Sequence, residues 1–422
     1  MCKFVKLKTL KMKRIGFALL TMMYASLMMA QHTFSVQVHN SSKSVRTDEP
    51  IVIPLNNYGE VRSALVTVEG KEIPCQLDDL NQDETYDELC FLADLGKKEK
   101  KIYHVTLYNE GEPRTYPARV YAEMVMGNSK DKTLKKNQQN NYVESITARG
   151  DAAYTYNLLH HHGVDFESEF NGIRIYFDKR QTLDLYGKYK KGLELQATQF
   201  YTQPDQKKAG YGDDILWVGN TFGLGAFRGW NGKEPTMIEP VRSRTQRVIA
   251  YGPLRTIVEL FDRGWKAESG KPALNMTIRY TQYAGHRDTD VDVFFNRDVT
   301  DYLFSTGIIN VMNSKEFSDH KGLRGCWGTD WPSSDTINFK RETVGLGICI
   351  PMKYIKEEIA ADKEIKQGGN YTFIVGTDQK HLQYKVVYSS DNEDFGYHSA
   401  QEWFQFLKEW KKELEKPIEI KY

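Results

Sequence analysis

The feature that most limits how this chain can fold is a long succession of short strand-like runs. Turn residues separate them, and no clear helical period appears before residue 399. Segments 34–38, 51–54, 63–68, 72–76, 89–93 and 101–107 are rich in β-branched and aromatic residues and alternate apolar with polar. Asn57-Tyr58-Gly59 and Glu69-Gly70-Lys71 supply turns between them. This reads as a small all-β sandwich. The pattern resumes at 193–197, 217–218, 224–227, 247–251, 254–261, 274–282, 289–295, 306–311, 344–350, 370–375 and 383–387. So many strands without helices between them predict a large antiparallel β-sandwich. No period of fixed length repeats, which argues against a propeller or a β-helix.

One helix is expected, over 399–416. Ser399 and Glu402 form an S-x-x-E capping box. Trp403, Phe406, Leu407, Trp410 and Leu414 then fall on one face at helical spacing, as core anchors. The expected organisation is a signal peptide (1–30), an N-terminal sandwich (31–115), a polar connector (116–150) and a large sandwich with the closing helix (151–422).

The signal peptide rests on Lys11, Lys13 and Arg14, an apolar run over 15–29, and Ala30 before Gln31. No cysteine follows the cut, so export to the periplasm without a lipid anchor is expected. No other stretch is apolar enough to span a bilayer. Cys75, Cys90, Cys326 and Cys349 have no metal-ligand spacing and read as small buried hydrophobes, with Cys75–Cys90 the pair to test for a disulfide. A net charge of +1, with no basic stripe, excludes an electrostatic case for nucleic acid. No serine-hydrolase elbow or zincin motif occurs.

Two acidic or aromatic stretches carry their own readings. Asp79, Asn81, Asp83 and Asp87 have oxygen-ligand spacing suited to a structural Ca²⁺, although an acidic, solvated hairpin loop without an ion is the favoured reading. No essential cofactor is expected. Trp327, Asp330 and Trp331 read as a loop with two aromatic platforms, like a sugar subsite.

The densest chemistry lies between His160 and Lys188. Residues 173–178 alternate, which predicts a half-buried strand with Arg174, Tyr176 and Asp178 on one face and Ile173, Ile175 and Phe177 on the other. His160 and His162 would share a face of an extended segment, where Glu167 or Glu169 completes a metal site or one histidine acts as an acid or base. The catalytic candidates are His161, His162, Tyr176, Tyr186, Arg174, Arg180, Lys188 and Glu169. Asp213, Asp214, Trp217, Trp327 and Trp331 are the substrate-binding candidates.

Several strings, taken together, resemble an exported family known as domain of unknown function 4861. They are Gln76-Leu77-Asp78-Asp79, Gly172-Ile173-Arg174-Ile175-Tyr176, Asp184-Leu185-Tyr186-Gly187-Lys188, Gly212-Asp213-Asp214-Ile215-Leu216 and Tyr251-Gly252-Pro253-Leu254-Arg255. The resemblance implies a place among polysaccharide-utilisation systems. It also implies a β-supersandwich similar to galactose mutarotase-like proteins and several polysaccharide lyases. The ligand is then a poly- or oligosaccharide. The leading expectation is a lyase acting at a uronic acid by β-elimination, with Arg174 or Arg180 neutralising the carboxylate. The alternatives are a glycoside hydrolase using a pair drawn from Glu167, Glu169, Asp178, Asp184 and Asp214, or a non-catalytic glycan-binding protein.

Overall fold

The computed structural model describes residues 30–127, 142–152, 155–337, 339–360 and 369–422. The signal-peptide reading lies outside these residues, as does most of the Lys- and Asn-rich part of the connector. Among the described residues no helix is long and apolar enough to cross a membrane.

The N-terminal strands build a small sandwich of two antiparallel sheets. Ala30–His39, Lys100–Tyr108, Ser63–Val68 and Lys71–Ile73 make one sheet, and Arg46–Pro54, Glu88–Leu95 and Cys75–Asp78 make the other. Inward residues such as Val36, Val38, Ile51, Ile53, Phe91 and Val105 form its core. The end of the chain returns here. Glu419–Lys421 pairs with the first strand at Gln37 to His39.

The larger unit is a supersandwich of antiparallel sheets. A nine-stranded sheet runs from Lys315–Ser318 at one edge to Ser145–Arg149 at the other. Two five-stranded sheets lie against it and share one core, to which Phe166, Ile175, Ile278, Val293, Phe304 and Phe373 all belong. The segment read as a connector contributes two strands. Val120–Glu123 pairs with Gly163–Ser168, and Ser145–Arg149 closes the long sheet.

Ala400–Leu414 forms the helix. The Ser399 hydroxyl accepts from the Glu402 N–H, while the Glu402 carboxylate reaches back to the N–H of His398. Trp403, Leu407 and Trp410 are buried against the strands Leu323–Asp330 and Glu342–Cys349. Glycines make that seat: a Cβ at Gly325, Gly345 or Gly347 would collide with Leu407 or Trp403.

Three local readings are corrected. Residues 193–197 do not form a strand; Leu195–Thr198 is a short helix whose first N–H groups donate to the buried Glu167 carboxylate. Trp327 lies within the strand Leu323–Asp330 and packs towards the closing helix. Cys75 and Cys90 are free thiols. Cys75 sits opposite Phe91 and Cys90 opposite Gln76, so the two side chains leave opposite faces of the sheet.

The two units are locked by charge. The Arg255 guanidinium, 2% exposed, donates to Asp78 at 2.7 Å and Glu88 at 2.7 Å. The Gln76 side chain accepts from the N–H groups of Leu254 and Arg255. Arg119 bridges Asp48 of the small sandwich to Glu169 of the large one. Two of the family-like strings, around Gln76 and Arg255, therefore meet at this junction.

Candidate functional site

The site grows from one five-stranded sheet, ordered Asp213–Asp214, Leu183–Gly187, Gly172–Tyr176, Gly163–Ser168, Val120–Glu123. One residue parity (Ala122, Val164, Phe166, Ile173, Ile175, Leu183, Leu185) faces the core. The other parity is polar. Register places Glu123 opposite Asp165, Asp165 opposite Arg174, and Arg174 opposite Asp184. A row of four charged side chains thus crosses four strands on one face.

The strand Gly172–Tyr176 is buried on both faces, not half-buried as its alternation predicts. The segment after Leu195–Thr198 covers the polar face, with Phe200 lying 4.2 Å from the Arg174 guanidinium carbon. Buried charge demands partners, and Arg174 has them. Its Nε and Nη2 donate to Asp184 Oδ2 at 3.0 and 2.6 Å. Nη2 also donates to Asp214 at 3.0 Å, and Nη1 to the Tyr201 hydroxyl at 3.2 Å. Tyr176 donates to Asp184 at 2.6 Å. Asp178 has left the strand: it caps the Arg180 N–H at 2.7 Å and pairs with the Arg180 side chain at 2.6 Å. This turn sends the chain back into Leu183–Gly187.

Above this network lies an open cleft of about 490 Å³. His162, Arg174, Tyr176, Arg180, Asp213, Asp214 and Trp217 line it, so seven of the catalytic and substrate-binding candidates converge, and Asp184 lies with them. Trp217 is 50% exposed at the rim. A depression of about 320 Å³ adjoins at Tyr156 and Arg180, and another of about 190 Å³ adjoins at Trp217 and Gly219. Both depressions share lining residues with the cleft.

His162 occupies a position of its own. Gly163 approaches the Ile175 carbonyl too closely for any Cβ, and His162 turns into it with φ +64°. The His160–His162 run is therefore a turn, not an extended segment. The His162 ring stacks on Tyr156 with centroids 3.8 Å apart, and its Nδ1 lies 2.9 Å from the Tyr156 carbonyl. A carbonyl only accepts, so Nδ1 carries the proton and Nε2 keeps its lone pair. Burial, offset in part by that bond, together with the Arg174 charge, holds the imidazole down at about 4. Burial and the neighbouring Asp184 carboxylate push the Asp214 carboxyl well above the ordinary range. Tyr201 faces His162 across the cleft, ring centroids 6.3 Å apart. Its oxygen accepts from Arg174, and burial pushes the phenol up to about 12, so it stays protonated through neutral pH.

The other proposed residues lie elsewhere, each for a visible reason. Lys188 is fully buried and donates to Glu167 at 2.5 Å and to the carbonyls of Ser168 and Gly192. Tyr186 is buried against Glu194, Thr202 and the Gly212 carbonyl. Glu169 belongs to the inter-unit bridge and also accepts from the Gly285 N–H. His161 lies beneath the cleft between Glu123 and Asp165. Trp327 is under the closing helix, and Trp331 lies below Arg341 beside the lining residues Pro332 to Ser334. In the acidic loop, Asp79 accepts from the N–H groups of Gln82, Asp83 and Glu84, Asp83 from that of Thr85, and Asp87 from that of Leu80. These three carboxylates cap the backbone of their own loop. Tyr156, Tyr201 and Lys207 line the cleft without having been singled out from sequence. Lys207 pairs with Asp213.

The solved structures compared include an α-mannosidase from Enterococcus faecalis, at 11% identity and a TM-score of 0.47 over 92% of this chain. A family 38 glycosyl hydrolase protein from the same organism gives 10% identity and a TM-score of 0.47. This chain spans less than half of either, 46% and 47% of their lengths. The overlap is partial, and nothing of their sites is carried over. No curated protein matches the sequence. Residues 38–420 match the family described as "Domain of unknown function (DUF4861)", and the chain belongs to that family.

Proposed function

We propose that this protein is an exported carbohydrate-active lyase that cleaves a uronic-acid-containing glycan by β-elimination. The observation that carries the reading is His162: a neutral imidazole of fixed tautomer, its Nε2 lone pair uncommitted, in an open cleft beside a part-exposed arginine. The uronate carboxylate sits against Arg180. His162 Nε2 takes the C5 proton, and the charge that develops spreads into the carboxylate that Arg180 neutralises. The C4–O bond breaks, a C4=C5 double bond forms, and the Tyr201 hydroxyl gives its proton to the leaving oxygen. Solvent then carries the His162 proton back to Tyr201. Arg174 holds the Tyr201 oxygen without spending the phenol proton. Trp217 offers a flat apolar face to a sugar ring at the rim.

The geometry lends less to a two-carboxylate hydrolase. Asp184 is 1% exposed and both its oxygens accept bonds, from Arg174, Tyr176 and the Leu185 N–H. Glu167, Glu169 and Asp178 are likewise committed to cations and backbone. Asp184 and Asp214 both line the cleft, but the one Arg174 guanidinium holds them both, whereas a hydrolase needs one carboxyl free as acid and the other free as base or nucleophile.

Screening uronate-containing glycans for an unsaturated, ultraviolet-absorbing product tests the reading. New reducing ends without that chromophore would favour the hydrolase. The pH profile gives a second check. The base works unprotonated, so kcat/KM should hold through the weakly acidic range and fall only as pH drops through about 4, not near the ordinary histidine value. A bound uronate offsets the local cations, so the limb in kcat should lie higher. An acid limb of kcat/KM near 6.5 that disappears in other histidine variants but not in His162→Ala would remove His162 from this role.

A further inference from the structure

We infer that Glu123, His161 and Asp165 form a buried site for a divalent transition ion of the Zn²⁺ class, directly beneath the cleft floor. The inference is independent of the proposed activity. Three pieces of backbone build it. Glu123 and Asp165 are cross-strand partners on the polar face of the five-stranded sheet, and His161 comes from the turn that leads into Gly163–Ser168. All three side chains are at most 1% exposed.

Among the described residues, five of their polar atoms have no hydrogen-bond partner: both His161 ring nitrogens, both Asp165 oxygens and Glu123 Oε1. His161 Nε2 lies 3.4 Å from Glu123 Oε1, and Nδ1 lies 3.3 Å from Asp165 Oδ2, but neither approach is aligned as a hydrogen bond. Buried polar groups are nearly always satisfied, and a fully buried trio is a marked exception. Among the described residues, neither carboxylate here pairs with a lysine or arginine. Arg174, next in the row, is committed to Asp184 and Asp214, and Lys188 to Glu167.

One ligand atom from each residue can be chosen so that all lie within 4.8 Å of one another. A tetrahedral ion with bonds of about 2.0–2.1 Å sets its ligand atoms about 3.3 Å apart, so the side chains would draw inward around it. His161 serves such an ion through one nitrogen only, Nε2 on the Glu123 side or Nδ1 on the Asp165 side. Imidazole among the ligands selects against Ca²⁺ and Mg²⁺ and for first-row transition ions. The second oxygen of Glu123 accepts from the Tyr121 hydroxyl at 2.6 Å, the kind of outer contact that orients a ligating carboxylate. An ion here would pin the turn that presents His162 to the strand behind Arg174.

The full chain, loaded with Zn²⁺ and dialysed against metal-free buffer, should retain one equivalent by mass spectrometry and melt higher than the chelator-treated protein. Co²⁺ in its place should give visible d–d absorption. H161Q and D165N, which keep size and remove a ligand, should lose stoichiometric retention. Tyr121→Phe should weaken binding by about 10-fold or more. Wild-type protein that retains no Zn²⁺ and shows no shift in melting would overturn the site, whatever the variants do. Stoichiometric retention by folded H161Q would also overturn it.

Discussion

His162→Ala should lower turnover of the cleaved glycan by about 10²–10⁴-fold, the usual contribution of a positioned general base. The fold should survive, because His162 is only part-buried and its stacking on Tyr156 is a local contact at the cleft edge. Coincident urea transitions for variant and wild type check that. Added imidazole should restore part of the rate by filling the space left by the side chain. Tyr201→Phe, which removes only the donor hydroxyl, should lose activity in the same sense. Unchanged turnover in His162→Ala would mean that proton abstraction belongs to another group.

Arg174→Ala should be the most damaging single change to stability, at about 3–5 kcal/mol. The guanidinium is shared by Asp184, Asp214 and Tyr201 and lies over the Phe200 ring. Its removal leaves two carboxylates without their cation in a water-poor site, and the covering segment loses its anchor. Arg174→Lys should recover only part of the loss, because an ammonium cannot serve Asp184, Asp214 and Tyr201 from one planar fork. Chemical denaturation reads both. A cost below about 1 kcal/mol for the alanine variant, the level of an exposed ion pair, would mean that the network does not hold the cleft floor.

What was legible in the sequence, and what was not, follows from the range of the forces involved. Segment 63–68 was readable to the residue because alternation and a Glu-Gly-Lys turn are local signals. So was the helix after Ser399, with its cap and its tryptophan face. Leu195–Thr198 was not, because its first N–H groups are capped by Glu167, which lies 27 residues from Glu194 along the chain. The strand through Trp327 read as a loop because its glycines, Gly325 facing Leu407 and Gly328 facing Val311 and Ser314, look like turn residues. The candidate site was half legible. The density of charge near Arg174 marked the correct sheet, and register then brought Arg174, Asp184 and Asp214 together. Which charged group faces water is a tertiary matter. Lys188 and Tyr186 lie within four residues of Asp184 yet point into a closed interior of backbone carbonyls and Glu194. Tyr201 carries no local signal, since only the fold brings it beside His162 and Arg174.

The central claim is elimination at a uronate, and cleavage in ¹⁸O-labelled water tests it most directly. Elimination adds no water across the broken bond. Mass spectrometry should therefore find a product pair whose summed mass equals that of the substrate, with no ¹⁸O fixed by cleavage and with a conjugated double bond at the new non-reducing end. Products that gain one labelled oxygen, carry no ultraviolet chromophore and still require the cleft residues would contradict the account and make this protein a hydrolase.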